Sequence, residues 1–82
     1  MIRVGAQVAW VDLDSHVWAI DLAAASPEPT RLDGGGVILW RALPVESLEQ
    51  LAEAVGAPDA GAVAEVGRFI ESLQKQGLCE VD

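Results

Sequence analysis

The hydrophobic pattern of the chain changes period at one place, Asp33-Gly34-Gly35-Gly36, and that change divides it into a strand-forming part and a helix-forming part. Before the glycines, β-branched and aromatic residues are dense in Val8–Leu13 and in Val17–Leu22. In the second run Trp18, Ile20 and Leu22 fall on one face of an extended chain and Asp21 on the other. Asp14 and Ser15 supply turn residues between the runs, so a β-hairpin joins them. Ser26-Pro27-Glu28-Pro29 then interrupts pairing, because proline has no N–H to donate, and Thr30–Leu32 forms a short third strand.

After the glycines the spacing turns helical. Asp33 is placed to cap a first helix over Val37–Leu43, with Val37, Trp40 and Leu43 on one side, and Pro44 ends it and pre-sets φ for the next start. A second helix runs to about Val55 with Leu48, Leu51, Ala52 and Val55 as its buried stripe and Gly56 as its C′ residue. Asp59 caps a third helix whose stripe is Ala62, Val66, Phe69 and Leu73, widened by Val63 and Ile70. Gly77 stops it, and Leu78 supplies the apolar contact that accompanies such a stop. The order is β-β-β-α-α-α: an α+β fold, winged-helix-like, with a three-stranded antiparallel sheet followed by three helices. Core volume is expected from Phe69, Leu73 and at least two of Trp10, Trp18 and Trp40.

All of this fits in one domain over residues 1–82, whose core is thin, since a chain of this size hides only about 60% of its unfolded surface. A deep substrate cavity is therefore not expected. Thirteen acidic residues against five basic ones give a net charge of −8, which opposes binding to nucleic acid and to anionic membrane surfaces. A mean hydropathy of +0.29 excludes a disordered chain. A single cysteine, no signal-peptide pattern and short apolar runs make a cytoplasmic protein the expectation.

The residues that could carry chemistry stand alone. His16 lies at the hairpin turn without partners for a triad or a metal site, so a solvated turn residue is expected. Cys79 has no basic neighbours to form a thiolate and reads as a small apolar filler. Gly34-Gly35-Gly36 is followed by Val37-Ile38 where a phosphate loop needs Lys-Ser/Thr, so a junction or a close packing contact is the better interpretation. Asp12, Asp14 and Asp21 lack the spacing of a calcium loop and read as solvated acids. No enzyme activity, cofactor or metal is expected.

Three segments together resemble the PqqD-like domains, the leader-peptide-binding recognition elements of ribosomally made natural products. They are Val8–Leu13 with the strand after it, the junction Arg31-Leu32-Asp33-Gly34-Gly35-Gly36-Val37-Ile38-Leu39-Trp40-Arg41-Ala42-Leu43, and Val66-Gly67-Arg68-Phe69-Ile70-Glu71-Ser72-Leu73 followed by Gly77-Leu78. Glu46–Leu51 is similar to the family's second helix. The resemblance implies a non-catalytic protein that captures the leader of a precursor peptide as an added β-strand and presents it to a modifying enzyme. By position it implies Thr30, Arg31 and Leu32 on the strand edge, with Val63, Val66, Gly67 and Ile70 on the facing helix and Arg68 at the rim. An apolar side chain of the peptide would meet Leu32 with Val63, Val66 or Ile70, and an acidic one Arg31 or Arg68. Two other classes compete. A winged-helix DNA-binding module is opposed by the third helix, where Arg68 and Lys75 are offset by Glu65 and Glu71. A structural or inhibitory subunit would use the same groove for another segment.

Overall fold

The structure, a computed structural model, describes residues 1–56 and 59–82. Its elements are β1 (Ile2–Val4), β2 (Val8–Asp12), β3 (His16–Asp21), β4 (Thr30–Asp33), α1 (Gly35–Ala42), α2 (Leu48–Ala54), α3 (Ala60–Lys75) and β5 (Cys79–Val81). The class is α+β, but the single three-stranded sheet before three helices needs correction, because five strands form two sheets. β2, β3 and β4 make an antiparallel meander, and β1 pairs with β5 across the whole length of the chain, Ile2 opposite Val81 and Val4 opposite Cys79. On its other side Ile2 exchanges two backbone hydrogen bonds with Val45, at 2.7 and 3.0 Å. The connection between α1 and α2 is thereby fixed to the chain's N-terminus.

The caps follow local chemistry. Asp33 does not cap α1: its carboxylate takes the Arg31 guanidinium at 3.0 Å, and Gly34 is the N-cap at φ 54°, ψ −125°, a conformation that a side chain would disfavour. α2 starts later than Pro44. Ser47 Oγ accepts from the Gln50 amide, and Gln50 Oε1 accepts from the Glu46 amide, which satisfies two otherwise orphaned donors. Asp59 caps α3 as the spacing predicts, accepting from the Ala62 amide at 2.9 Å.

The core lies between the meander and the helices: Val17, Ala19 and Leu32 from the sheet, Val37, Leu39 and Trp40 from α1, Leu51 and Ala52 from α2, and Val66, Ile70 and Leu73 from α3. The β1–β5 pair closes one side with Ile2, Leu78 and Cys79. Of the tryptophans only Trp40 is buried, at 1% exposure, against 48% for Trp10 and 36% for Trp18, so the expectation of two core tryptophans is corrected. Trp18, Ile20 and Leu22 do share a face, but it is the outer one. The inner face, pressed against Trp40 and the helices, takes the smaller Val17 and Ala19. Phe69 is half-buried at the margin of the core rather than inside it, whereas Leu73 is 2% exposed.

Candidate functional site

Strand β4 is one edge of the meander, and the hydrogen-bond parity of the ladder determines what that edge offers. The Leu13 amide donates to the His16 carbonyl and the Leu22 amide to the Gln7 carbonyl, so even-numbered residues of β3 bond toward β2 and odd-numbered ones toward β4. Val17 therefore exchanges its bonds with Leu32, and Ala19 with Thr30. The N–H and C=O groups of Arg31 and Asp33 point away from the sheet, into solvent. They form a two-residue template of the kind an extended chain can pair with. The opposite edge, β2, is held at its turn end. Arg41 from α1 reaches the Asp12 carboxylate through Nε at 2.7 Å and the Asp14 carbonyl at 2.6 Å. This hydrogen-bonded ion pair holds the Asp12 carboxyl below the usual carboxylate range, so Asp12 is a clasp between hairpin and helix rather than a freely solvated acid.

Helix α3 runs beside β4 in the opposite direction. At one end Thr30 Oγ1 donates to Gln76 Oε1 at 2.8 Å. Two turns earlier on the same face, the Phe69 ring closes on Gly36, where an added Cβ would stand 3.3 Å from Phe69 Cε1 and 3.9 Å from Leu32 Cβ. Two hollows lie along α3. One, about 390 Å³, is lined by Arg68, Glu71, Ser72, Lys75 and Gln76. The other, about 330 Å³ and mostly apolar, lies where α1 meets α3, with Ile38, Leu39, Val66 and Phe69 as its walls and Glu65 at its margin.

The residues assigned by position separate into distinct roles. Thr30 is joined to the end of α3 through its bond to Gln76, and Arg68 lines the hollow on α3 together with Glu71 and Lys75. Arg31 contributes backbone only, because its side chain lies on the outer sheet face, opposite Trp18 and paired with Asp33. Leu32 and Ile70 are core residues, Val66 is core and floor at once, and Val63 packs against the core. Gly67 faces α2, where an added Cβ would meet Leu48 Cδ1 at 3.3 Å. Spacing alone did not reveal Ile38, Phe69, Ser72 and Gln76. Ile38 is 52% exposed and Leu39 9%, and since both lie off the stripe of Val37 and Trp40 the spacing does not tell them apart.

His16 begins β3 with its ring against Ser15 Oγ, and Cys79 is buried away from the groove, its thiol pushed up to about 11 by desolvation. Among the described residues no three of His, Cys, Asp and Glu are grouped to hold a metal ion, and no helix is long and apolar enough to cross a membrane. The outer sheet face, with Val11, Leu13, Trp18 and Leu22 all exposed, is unusually apolar for a solvent-facing surface. Comparison with family models, curated proteins and solved structures found no match.

Proposed function

We propose that this chain is a non-catalytic peptide-binding domain, a recognition element of the PqqD-like kind. It takes up the leader segment of a ribosomally made precursor as an additional strand on β4 and holds it for a modifying enzyme. The observation that carries this reading is the open edge of β4 lying alongside α3: the unpaired backbone groups of Arg31 and Asp33 supply sequence-independent affinity, and the hollows along α3 supply side-chain selection. The residues that resemble the family fall in β4 with α1, and in α3. The DNA-binding alternative gains nothing from α3, whose Lys75 is already paired with Glu71 at 3.3 Å.

The test is a titration of fluorescein-labelled leader, made from the short precursor gene that should neighbour this one, into the wild type and Arg31→Pro. The substitution removes an outward N–H and fills the edge with a ring while leaving the bonds to β3 in place, since edge positions tolerate proline. Binding should weaken at least tenfold, and N-methylating alternate peptide residues should do the same to the wild type. Equal affinity in all three measurements would refute strand addition at β4.

A further inference from the structure

The second edge of the meander, β2, is built differently from β4. The ladder parity that turns Arg31 and Asp33 outward on β4 turns Val8, Trp10 and Asp12 outward on β2, because Ala9 and Val11 exchange their bonds with Ile20 and Trp18. The Val8 amide already donates to the Gly5 carbonyl at 3.1 Å. Trp10 and Asp12 therefore hold the free N–H and C=O groups of this edge. Sheet edges are ordinarily blunted by lysine, proline or a bulge, and Val8–Asp12 has none of these, its pairing with β3 running unbroken. Apolar surface is open on both sides of the strand. Trp10 lies on the inner face in a T-shaped contact with Trp40, Val11 and Leu13 lie on the outer face, and all three are about half exposed. Asp12 is the one charge on the strand, and Arg41 pairs with it. In a chain of net charge −8 this edge is a neutral strip.

An edge of this kind fits a second copy of itself. Set antiparallel about a two-fold axis at Val11, the two strands place Trp10 opposite Asp12 of the second copy and use both free N–H and both free C=O groups of each. Sliding the pair until Trp10 stands opposite itself brings Asp12 to Val8, whose N–H is taken, and leaves the Asp12 carbonyl without a donor. In the first register Val11 meets Val11 and Leu13 meets Ala9 on the outer face. On the inner face the Trp10 ring lies beside the Asp12–Arg41 clasp of the other copy, where an aromatic ring and a guanidinium attract. No like charges stand directly opposite each other. We infer that the domain self-associates through β2 into a two-fold dimer with one six-stranded antiparallel sheet, whose two ends are the open β4 edges. Trp10, Val11 and Leu13 give up on the order of 250 Å² per copy, far short of the ~1,200 Å² total of a stable interface, so the dimer is weak, with a Kd on the order of 0.1 mM.

Sedimentation equilibrium of the intact protein from about 10 µM to about 1 mM tests it and should show a monomer passing into a dimer. Because the copies carry like net charge, added salt should strengthen the association, the opposite of what a basic partner would show. Val11→Lys and Val11→Glu change an exposed position, and each is first checked for a wild-type circular dichroism spectrum and melting curve. Each alone should associate at least about tenfold more weakly, because like charges then meet at the two-fold axis, and the two mixed in equal amounts should associate at least as tightly as wild type. Amide exchange needs no variant: in the wild type Trp10 and Asp12 should slow as concentration rises, while Arg31 and Asp33 do not. Arg31→Pro should dimerise like wild type, and Val11→Lys should bind the leader like wild type. A monomer at every concentration, or no recovery in the mixture, would overturn this inference and leave strand addition at β4 standing. Slowing at Arg31 and Asp33 instead would overturn it in favour of pairing through β4.

Discussion

Cys79 shows how burial sets the chemistry of a single residue here. Its thiol sits in the β1–β5 side of the core at 5% exposure, and desolvation alone raises its pKa from an ordinary 9.0 to about 11. At neutral pH it is a thiol, so labelling by an aromatic disulfide should be slow in the native protein and stoichiometric once denatured. The folded pKa lies above the unfolded one, so its contribution to stability is complete below pH 9 and is lost as pH rises toward about 11. Denaturation midpoints should fall across that window, and Cys79→Ala should flatten the fall. The tryptophans are a second test at this scale. Trp40→Ala should cost about 3–5 kcal/mol and leave little folded protein, Phe69→Ala only about 1–3 because its ring is half-buried, and Trp18→Ser about 1–2 because its ring is partly covered on the outer face. Urea denaturation measures all three. The alternation of Trp18, Ile20 and Leu22 was visible in the sequence, but a period of two does not say which face is inside. That choice is made on β3 by Trp40 and the helices, against which Val17 and Ala19 are buried.

The elements were legible where a pattern lasted long enough to repeat. The hairpin and the helices follow from the sequence, and α3 begins at Asp59 and ends before Gly77 as its spacing requires. β1 and β5 were not legible, since three residues carry no period and their pairing joins opposite ends of the chain. The site was legible as far as an edge strand beside a helix, and no further. Which residues of α3 face the groove depends on its rotation about its own axis, and packing sets that rotation: Gly67 is directed at Leu48 of α2, and Phe69 at Gly36. Ladder parity was equally hidden, and it separates two neighbouring substitutions. Thr30→Pro removes a donor that bonds to Ala19 inside the sheet, so it should lower the melting temperature by about 10 °C, whereas Arg31→Pro should lower it by less than about 5 °C. Scanning calorimetry compares them directly. Equal losses would mean that the register of β4 is shifted by one residue.

At the scale of the whole molecule, the open β4 edge of the meander is surrounded by fixed contacts. The β1–β5 pair and the bridge to Val45 tie both chain ends and the α1–α2 connection together, Arg41 fastens the hairpin to α1, and Gln76 fastens the end of α3 to the start of β4. On β4 the template of Arg31 and Asp33 remains unpaired. Rigid surroundings lower the cost of ordering an incoming chain, which is what the proposed strand addition to a domain this small would require. Amide hydrogen exchange followed by NMR examines the template most directly. In the free protein the Arg31 and Asp33 amides should exchange nearly as fast as in an unstructured chain, while Thr30 and Leu32 are protected. Saturation with the leader peptide should slow Arg31 and Asp33 at least about a hundredfold. Fast exchange at both in the complex, or new protection at Trp10 and Asp12 on the β2 edge instead, would contradict the account.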